Sequence, residues 1–150
     1  MKKIIFGLFL LFVTISSAVA KESFSDKKLD WWQGVTPAEI EKMIQNGADV
    51  NERCASERTP LLFALWLNRN SAVITTLIQT GADVNARDEF GNTPLMFAAA
   101  YNKNPEVITL LIQNGADVNA KNDFGHSPFD EAERNKNPDI LTTLIQYRTE

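Results

Sequence analysis

Apolar residues recur in one arrangement at three places along the chain. Residues one, three or four positions apart lie on the same side of an α-helix, so each set predicts a helix with one buried face. Each set follows an asparagine that can cap a helix: Asn70, Asn104 or Asn137. The sets are Val73, Ile74, Leu77 and Ile78; Val107, Ile108, Leu110, Leu111 and Ile112; and Ile140, Leu141, Leu144 and Ile145.

A shorter helix is predicted before each of these. It begins at a hydroxyl residue followed by proline, at Thr59-Pro60, Thr93-Pro94 and Ser127-Pro128. The hydroxyl can cap the helix, and proline suits the first helical position because its missing N–H is not needed there. The segment from Thr93 to Asn104 is one residue longer than that from Ser127 to Asn137. We interpret the extra residue as a looser turn between the paired helices.

The phrase Gly-Ala-Asp-Val-Asn joins these helix pairs. It occurs at 47–51, 81–85 and 115–119, a step of 34 residues both times. Glycine suits the left-handed residue after a helix, and the aspartate can accept hydrogen bonds from neighbouring backbone N–H groups. Two motifs with one period indicate a repeat array, in which each unit buries its apolar face against its neighbours.

The chain from about Trp32 onward resembles the ankyrin repeat, through Thr93-Pro94-Leu95-Met96-Phe97-Ala98 and Gly81-Ala82-Asp83-Val84-Asn85-Ala86. The resemblance implies an all-α solenoid of helix–turn–helix pairs with hairpin-like finger loops, in three to four repeats including caps. We place an N-terminal cap at about 26–50, repeats at about 51–84 and 85–118, and a C-terminal capping repeat at about 119–150.

The N-terminal cap has its own signals. Thr36-Pro37-Ala38-Glu39 is a capping box that opens a helix running to Gly47. Residues 26–33 are predicted to form its partner helix, with Leu29 and Trp32 closing the end of the core. Trp31 and Trp32 are interpreted as a lid over the first repeat; a ligand site is the alternative. At the other end, acidic and basic residues between 130 and 134 make the first helix of the last unit polar, as solubility requires.

Residues 1–20 have the layout of a secretory signal peptide. Lys2 and Lys3 precede an apolar stretch from Ile4 to Val13, and Ala18-Val19-Ala20 is an A-x-A cleavage site. The apolar run is about half the ~20 residues that a membrane-spanning helix needs. We therefore expect cleavage after Ala20, no membrane anchor afterwards, and a mature protein that is periplasmic or secreted.

Charge and cysteine content narrow the candidate partners. The chain has 15 basic and 19 acidic side chains, and loss of Lys2 and Lys3 changes its formal charge from −4 to −6. An acidic surface repels phosphate backbones and anionic lipid, so neither nucleic acid nor a membrane is expected as a partner. We expect a monomer that binds a protein.

The single cysteine, Cys54, cannot form an internal disulfide. It is interpreted as incidental, with a redox role as the alternative.

The sequence gives no support for catalysis, a metal or a cofactor. His126 is the one histidine, and the repeat register places it two repeats away from Cys54, very roughly 20 Å at the usual helix spacing. A general base must lie within about 3 Å of its nucleophile. Zinc needs several histidine or cysteine ligands, and the glycines are isolated rather than arranged as a phosphate loop.

The resemblance implies binding through finger-loop tips and the concave face of the first helices. The matching candidates are Arg58, Trp66, Leu67, Phe90, Asn92, Tyr101, Phe124, His126 and Arg134. Aromatic residues and arginine are frequent binding hot spots. Alternatively, Trp66 and Leu67 pack under the N-terminal cap, while Phe90 and Phe124 hold adjacent loops together; Tyr101 is expected to be exposed.

The first finger loop departs from the pattern, because Glu57 stands where the others have Gly91 and Gly125. A glutamate is unfavourable at positive φ, so we expect a different loop shape.

The function expected from the sequence is non-catalytic binding of a protein in the cell envelope or outside the cell. One alternative is a dedicated acidic inhibitor or immunity protein for a toxin or hydrolase. A redox accessory role through Cys54 is a further alternative.

Overall fold

The computed structural model describes residues 21–148, and the predicted signal peptide lies outside this range. Its α-helices are α1 (Leu29–Gly34), α2 (Pro37–Gln45), α3 (Pro60–Leu67), α4 (Ser71–Gln79), α5 (Pro94–Tyr101), α6 (Pro105–Gln113), α7 (Pro128–Arg134) and α8 (Pro138–Gln146). Across residues 21–148 the structure contains helices and loops without a strand, which confirms the all-α prediction. None of the helices described there is long and apolar enough to cross a bilayer.

The helices form two layers. The inner layer stacks α1, α3, α5 and α7 in succession, and the outer layer stacks α2, α4, α6 and α8 beside them. Helices α3, α5 and α7 also pack on the outer helices that follow them. This arrangement is the predicted solenoid, in which each helix pair packs on the pairs before and after it.

The predicted caps are present with one exception. The Thr93 hydroxyl accepts a hydrogen bond from the Met96 N–H at 3.4 Å, and the Asn104 side chain accepts one from the Glu106 N–H at 3.0 Å. Thr36 and Glu39 form the reciprocal capping box. The exception is Thr59, whose buried hydroxyl makes no capping bond. The first helix of that repeat therefore begins without the side-chain cap that its counterpart α5 has.

The prediction of a looser turn before Asn104 is wrong. Helices α3 and α5 each have eight residues and α7 has seven, whereas three residues connect each of them to the next helix. The extra residue therefore continues the helix instead of enlarging the turn. It is Leu67 in α3 and Tyr101 in α5, and α7 has no counterpart.

Two other predictions of the cap regions are wrong. The first helix begins at Leu29 rather than Asp26. Leu29 does not close the end of the core, because it is 51% exposed. Phe24, which lies before the helix, is buried against Trp32 instead. Ile145 was expected to be buried with its repeat equivalents but is 55% exposed. It lies on α8, and no later helix pair in the described residues packs against that face.

Glu52 fixes the segment before α1 to the first repeat. Its carboxylate accepts hydrogen bonds from the Ser23 hydroxyl and the Phe24 N–H, both at 2.7 Å, and from the Ser25 N–H at 3.3 Å. Partial burial alone raises the pKa of Glu52, but these hydrogen bonds outweigh burial and leave it below its ordinary value of 4.5. The ionised carboxylate thus holds Phe24 in place.

The lowered pKa of Glu52 predicts how the stability of the protein changes in acid. A carboxyl group with a lowered folded-state pKa contributes stability above its unfolded pKa, and that contribution is lost as the pH falls through the folded-state pKa. In Glu52→Gln we expect a lower melting temperature at pH 7 and a smaller further loss below about pH 4.5, the ordinary value. Thermal melts between pH 7 and pH 3 measure both effects. Glu133→Gln removes an exposed carboxylate from α7 as a control, and an equal acid dependence in both variants would contradict the assignment.

Leu95 tests the stacking of the inner layer. Its side chain is fully buried in α5, which lies between α3 and α7. Leu95→Ala should lower the free energy of unfolding by about 2–5 kcal/mol, through lost burial and the cavity left behind. Urea denaturation followed by circular dichroism measures the change. Ile145→Ala, which shortens an exposed side chain, should have little effect; equal midpoints for the two variants would contradict the packing.

Candidate functional site: the concave face

Three finger loops lie side by side along one edge of the stack: residues 54–58, 88–92 and 122–126. Each closes with a backbone hydrogen bond, from Asp88 N to Asn92 O in the second loop and between the matching residues of the others. The Glu89 N–H also donates to the Ser56 carbonyl at 3.1 Å, and the Asp123 N–H to the Phe90 carbonyl at 3.0 Å. The loops therefore form a hydrogen-bonded row that fixes the spacing of the side chains at their tips.

The second and third loops share an internal brace. The Asp88 carboxylate accepts hydrogen bonds from the Phe90 and Asn92 N–H groups, and the Asn122 amide oxygen does the same in the third loop. Gly91 must be glycine for two reasons. Its φ is +75°, and a Cβ atom there would lie 2.6 Å from the Asp123 carboxylate.

The first loop has a different shape, as predicted, but Glu57 keeps the positive φ. Residues 55–57 form a short 3-10 turn in which Ser56 has φ +58° and Glu57 has φ +56°. Cys54 occupies the position of Asp88 and has no carboxylate to brace the loop. Each left-handed non-glycine residue costs about 1–3 kcal/mol, and such strain is concentrated at functional sites.

A hollow of about 260 Å³ opens on the concave face of the inner helices. Phe97, Ala100 and Glu131 contribute to its wall. It brings together six of the nine residues predicted for binding: Arg58, Asn92, Tyr101, Phe124, His126 and Arg134. We call this site the concave hollow.

Two of its aromatic side chains are largely open to solvent, whereas Phe97 is buried. Tyr101 is 56% exposed, as expected, and Phe124 is 67% exposed. Phe90 is also exposed, and its ring lies 6.1 Å from that of Phe124. The ring contact across adjacent loops agrees with the interpretation that these residues hold the loops together, and a role in binding stays a prediction.

A cluster of three charged or titratable side chains forms the far wall of the hollow. The Glu131 carboxylate lies 3.4 Å from His126 Nδ1 and 3.2 Å from Arg134 Nη1, and Arg134 Nη2 lies 3.4 Å from His126 Nε2. Exposed pairs of this kind add little stability, so their effect is to orient the groups. The Arg134 side chain remains 60% exposed despite these contacts.

Arg58 forms the opposite wall and links two repeats. Its guanidinium carbon lies 4.6 Å from the centre of the Trp66 ring and 5.4 Å from that of Phe97. Its Nε lies 3.8 Å from the buried Asp88 carboxylate, too far for a hydrogen bond, and makes none with the described residues. Arg58 is therefore held by stacking and charge, with an N–H group left without a protein acceptor.

The three remaining candidates, Trp66, Leu67 and Phe90, do not line the hollow. Trp66 is half-buried and contacts Phe63, which in turn stacks on Trp32 of the cap. This contact agrees with the expectation that Trp66 packs toward the cap. Leu67 borders a separate cleft that Tyr101 and Lys103 also line. The roles of the nine candidates in binding stay predictions.

No serine, threonine or cysteine is among the described residues that line the hollow with His126. The neighbours of His126 are Glu131, Arg134 and Phe124, and the adjacent Ser127 hydroxyl is hydrogen-bonded to Asp130 in the capping box of α7. A general base without a nucleophile in reach cannot activate one. Residues 21–148 also contain no group of three potential metal ligands.

Cys54 lies in a different depression, and its environment disfavours the thiolate. Burial, and to a lesser degree the nearby Glu52 carboxylate, raise the pKa of the thiol to about 11. Reactive cysteines require the opposite shift, because the thiolate is the nucleophile. The raised pKa therefore disfavours the redox alternative.

The thiol can be tested by alkylation. At pH 7 we expect iodoacetamide to modify Cys54 much more slowly than a small free thiol, and the rate to rise about tenfold per pH unit up to pH 10, below a pKa of about 11. Intact-mass analysis over time gives the rate, and urea-unfolded protein is the control. A rate already maximal at pH 8 would contradict the assignment.

Several residues of this face were not predicted from the sequence. Asn51 and Asn85 bridge consecutive turns: Asn51 donates to the Gly81 carbonyl at 3.0 Å and accepts from the Asp83 N–H at 2.7 Å, and Asn85 repeats the pattern one unit later. The recurrence of asparagine at that position was the available signal. Phe97 has no such signal, because Arg58, which lies over its ring, is distant in sequence. For Glu131 the signal was local, since Arg134 follows it by three residues on the same helix.

The stacked helix pairs and projecting finger loops define a helical repeat protein. A profile of ankyrin repeats in many copies matches residues 77–132, and a profile of the single ankyrin repeat matches residues 56–89. Together these matches span just over half of the chain, which belongs to the ankyrin-repeat family. Its repeats are a protein–protein interaction module of a generally non-enzymatic kind. No curated protein matches the chain significantly.

Proposed function

We propose that this protein is exported and binds one protein partner, without transforming it, through the concave hollow and the finger loops. The convergence of six predicted residues in that hollow is the main support. Exposed aromatic rings beside an arginine provide the chemistry of a binding hot spot. The hydrogen-bonded loop row holds them in place before binding, which lowers the entropy cost of association.

The charge of the hollow favours an adaptor over an acidic inhibitor. The mature chain carries a formal −6, but the charged groups that line the hollow are Arg58, Arg134 and Glu131, with His126 beside them. An inhibitor that plugs a basic cleft would concentrate carboxylates on its binding face, since complementary charge steers association. The acidic groups of this chain are instead spread over turns, helix starts and finger loops, and Glu131 is the one carboxylate among the residues that line the hollow.

Site-specific crosslinking in the native host tests the proposal. We expect the photoreactive residue p-benzoylphenylalanine at position 101 to form an adduct with one exported polypeptide. The same residue at position 145, exposed to a similar degree on the outer layer, should not. Phe124→Ala should weaken the position-101 adduct without changing the melting temperature, because the residue is exposed. Equal crosslinking from both positions would contradict the proposal.

A further inference from the structure

A groove of about 580 Å³ lies between the N-terminal cap and the first finger loop. Its apolar surface is formed by Phe24, Leu29, Phe63 and Trp66. Cys54, Ala55 and Ser56 provide the wall on the side of the finger loop. We call it the cap groove. It is continuous with the concave hollow through Arg58, which lines both.

The charged residues of the cap groove have the opposite sign to the molecule as a whole. The lining contains one carboxylate, that of Asp30, and three basic side chains, those of Lys27, Lys28 and Arg58. Asp30 accepts a hydrogen bond from the Trp31 N–H at 3.0 Å, and Arg58 is paired with Asp88. Lys27 lies 5.3 Å from the centre of the Trp31 ring, and Lys28 is exposed. An apolar floor is thus bordered by lysines on an otherwise acidic protein.

The geometry points to a segment of the protein partner as the occupant, with one or two apolar side chains followed by carboxylates. The apolar side chains would cover Leu29 and Trp66, and the carboxylates would meet Lys27 and Lys28. An acidic segment has a favourable approach to this groove, since complementary charge helps to select the partner. This inference rests on the proposed function and assigns the partner's chemistry at one end of the same face.

The shape of the groove is held from both sides. Glu52 fixes Ser23, Phe24 and Ser25, and the Phe24 ring stacks on Trp32 at 5.8 Å. On the other side, the left-handed Ser56 and Glu57 keep the finger loop in its strained form, and the Glu89 N–H bonds to Ser56 O. Backbone strain of this kind is concentrated at functional sites, which supports a functional role for this wall of the groove.

Cys54 provides a reporter for occupancy, because it is the only cysteine in the chain and lines the groove. The probes are the peptides acetyl-Leu-Phe-Asp-Glu-amide and acetyl-Leu-Phe-Lys-Lys-amide, added to the mature protein at pH 9. The acidic peptide should slow iodoacetamide alkylation in a saturable manner, and half-protection should need at least about tenfold more of the basic peptide.

Charge reversal then tests the role of the lysines. In Lys27→Glu/Lys28→Glu the preference should invert in favour of the basic peptide. Lys42→Glu/Lys136→Glu makes the same change of net charge at exposed lysines outside the groove and should keep the original preference. Equal protection of Cys54 by both peptides, or protection by neither, would overturn the inference. Protection by sodium laurate alone would also overturn it, because that result would identify a lipid site.

Crosslinking to the partner from two positions distinguishes failure of this inference from failure of the proposed function. Photoreactive p-benzoylphenylalanine at position 29 should crosslink to the same polypeptide as position 101, and the adduct should map to a segment with apolar and acidic residues. An adduct from position 101 without one from position 29 would overturn the cap groove and leave the proposed function standing. Absence of an adduct from position 101 would contradict the proposed function first.

Discussion

Stacking of successive inner helices is the contact on which the rest of this molecule depends, because neither helix of a pair can bury its apolar surface alone. Helix α5 shows this most clearly: its first six residues, from Pro94 to Ala99, are all buried. A helix that is apolar on every side is stable only inside a structure, and α3, α6 and α7 surround this one. In α7, at the end of the described stack, only Pro128 and Ala132 are buried.

The same stacking sets the spacing of the binding face. Asparagine bridges hold the turns in register, since Asn51 and Asn85 join consecutive Gly-Ala-Asp-Val-Asn phrases. Asn68 and Asn135 act at the other end of the inner helices, where each donates to two backbone carbonyls of the preceding unit. These buried or half-buried amides fix the distance between repeats, so that side chains one repeat apart on the concave face lie at defined separations. The exposed aromatic residues there are therefore held at fixed positions relative to one another.

The periodic part of the structure could be predicted from the sequence, and the non-periodic part could not. Caps, helix order and the concave positions follow from residues that recur every 34 positions, since each copy supports the interpretation of the others. The additional residue in α5 was assigned to a turn because spacing alone does not distinguish a longer helix from a longer turn. Leu29 was placed in the core for a similar reason: its apolar character was visible, but the Glu52 contacts that bring Phe24 there join residues 28 positions apart.

The departures from the repeat pattern lie mainly on one side of the molecule. Cys54 replaces the bracing aspartate, Glu57 replaces the turn glycine, and Arg58 stands where the next loop has Asn92. Glycine at position 57 would favour stability, because a glutamate in the left-handed conformation destabilises the folded state by about 1–3 kcal/mol. Arg58 contacts the rings of Trp66 and Phe97 and forms an ion pair with Asp88. The first finger loop thus combines a strained backbone with an arginine that lines both the cap groove and the concave hollow, so the two depressions are continuous.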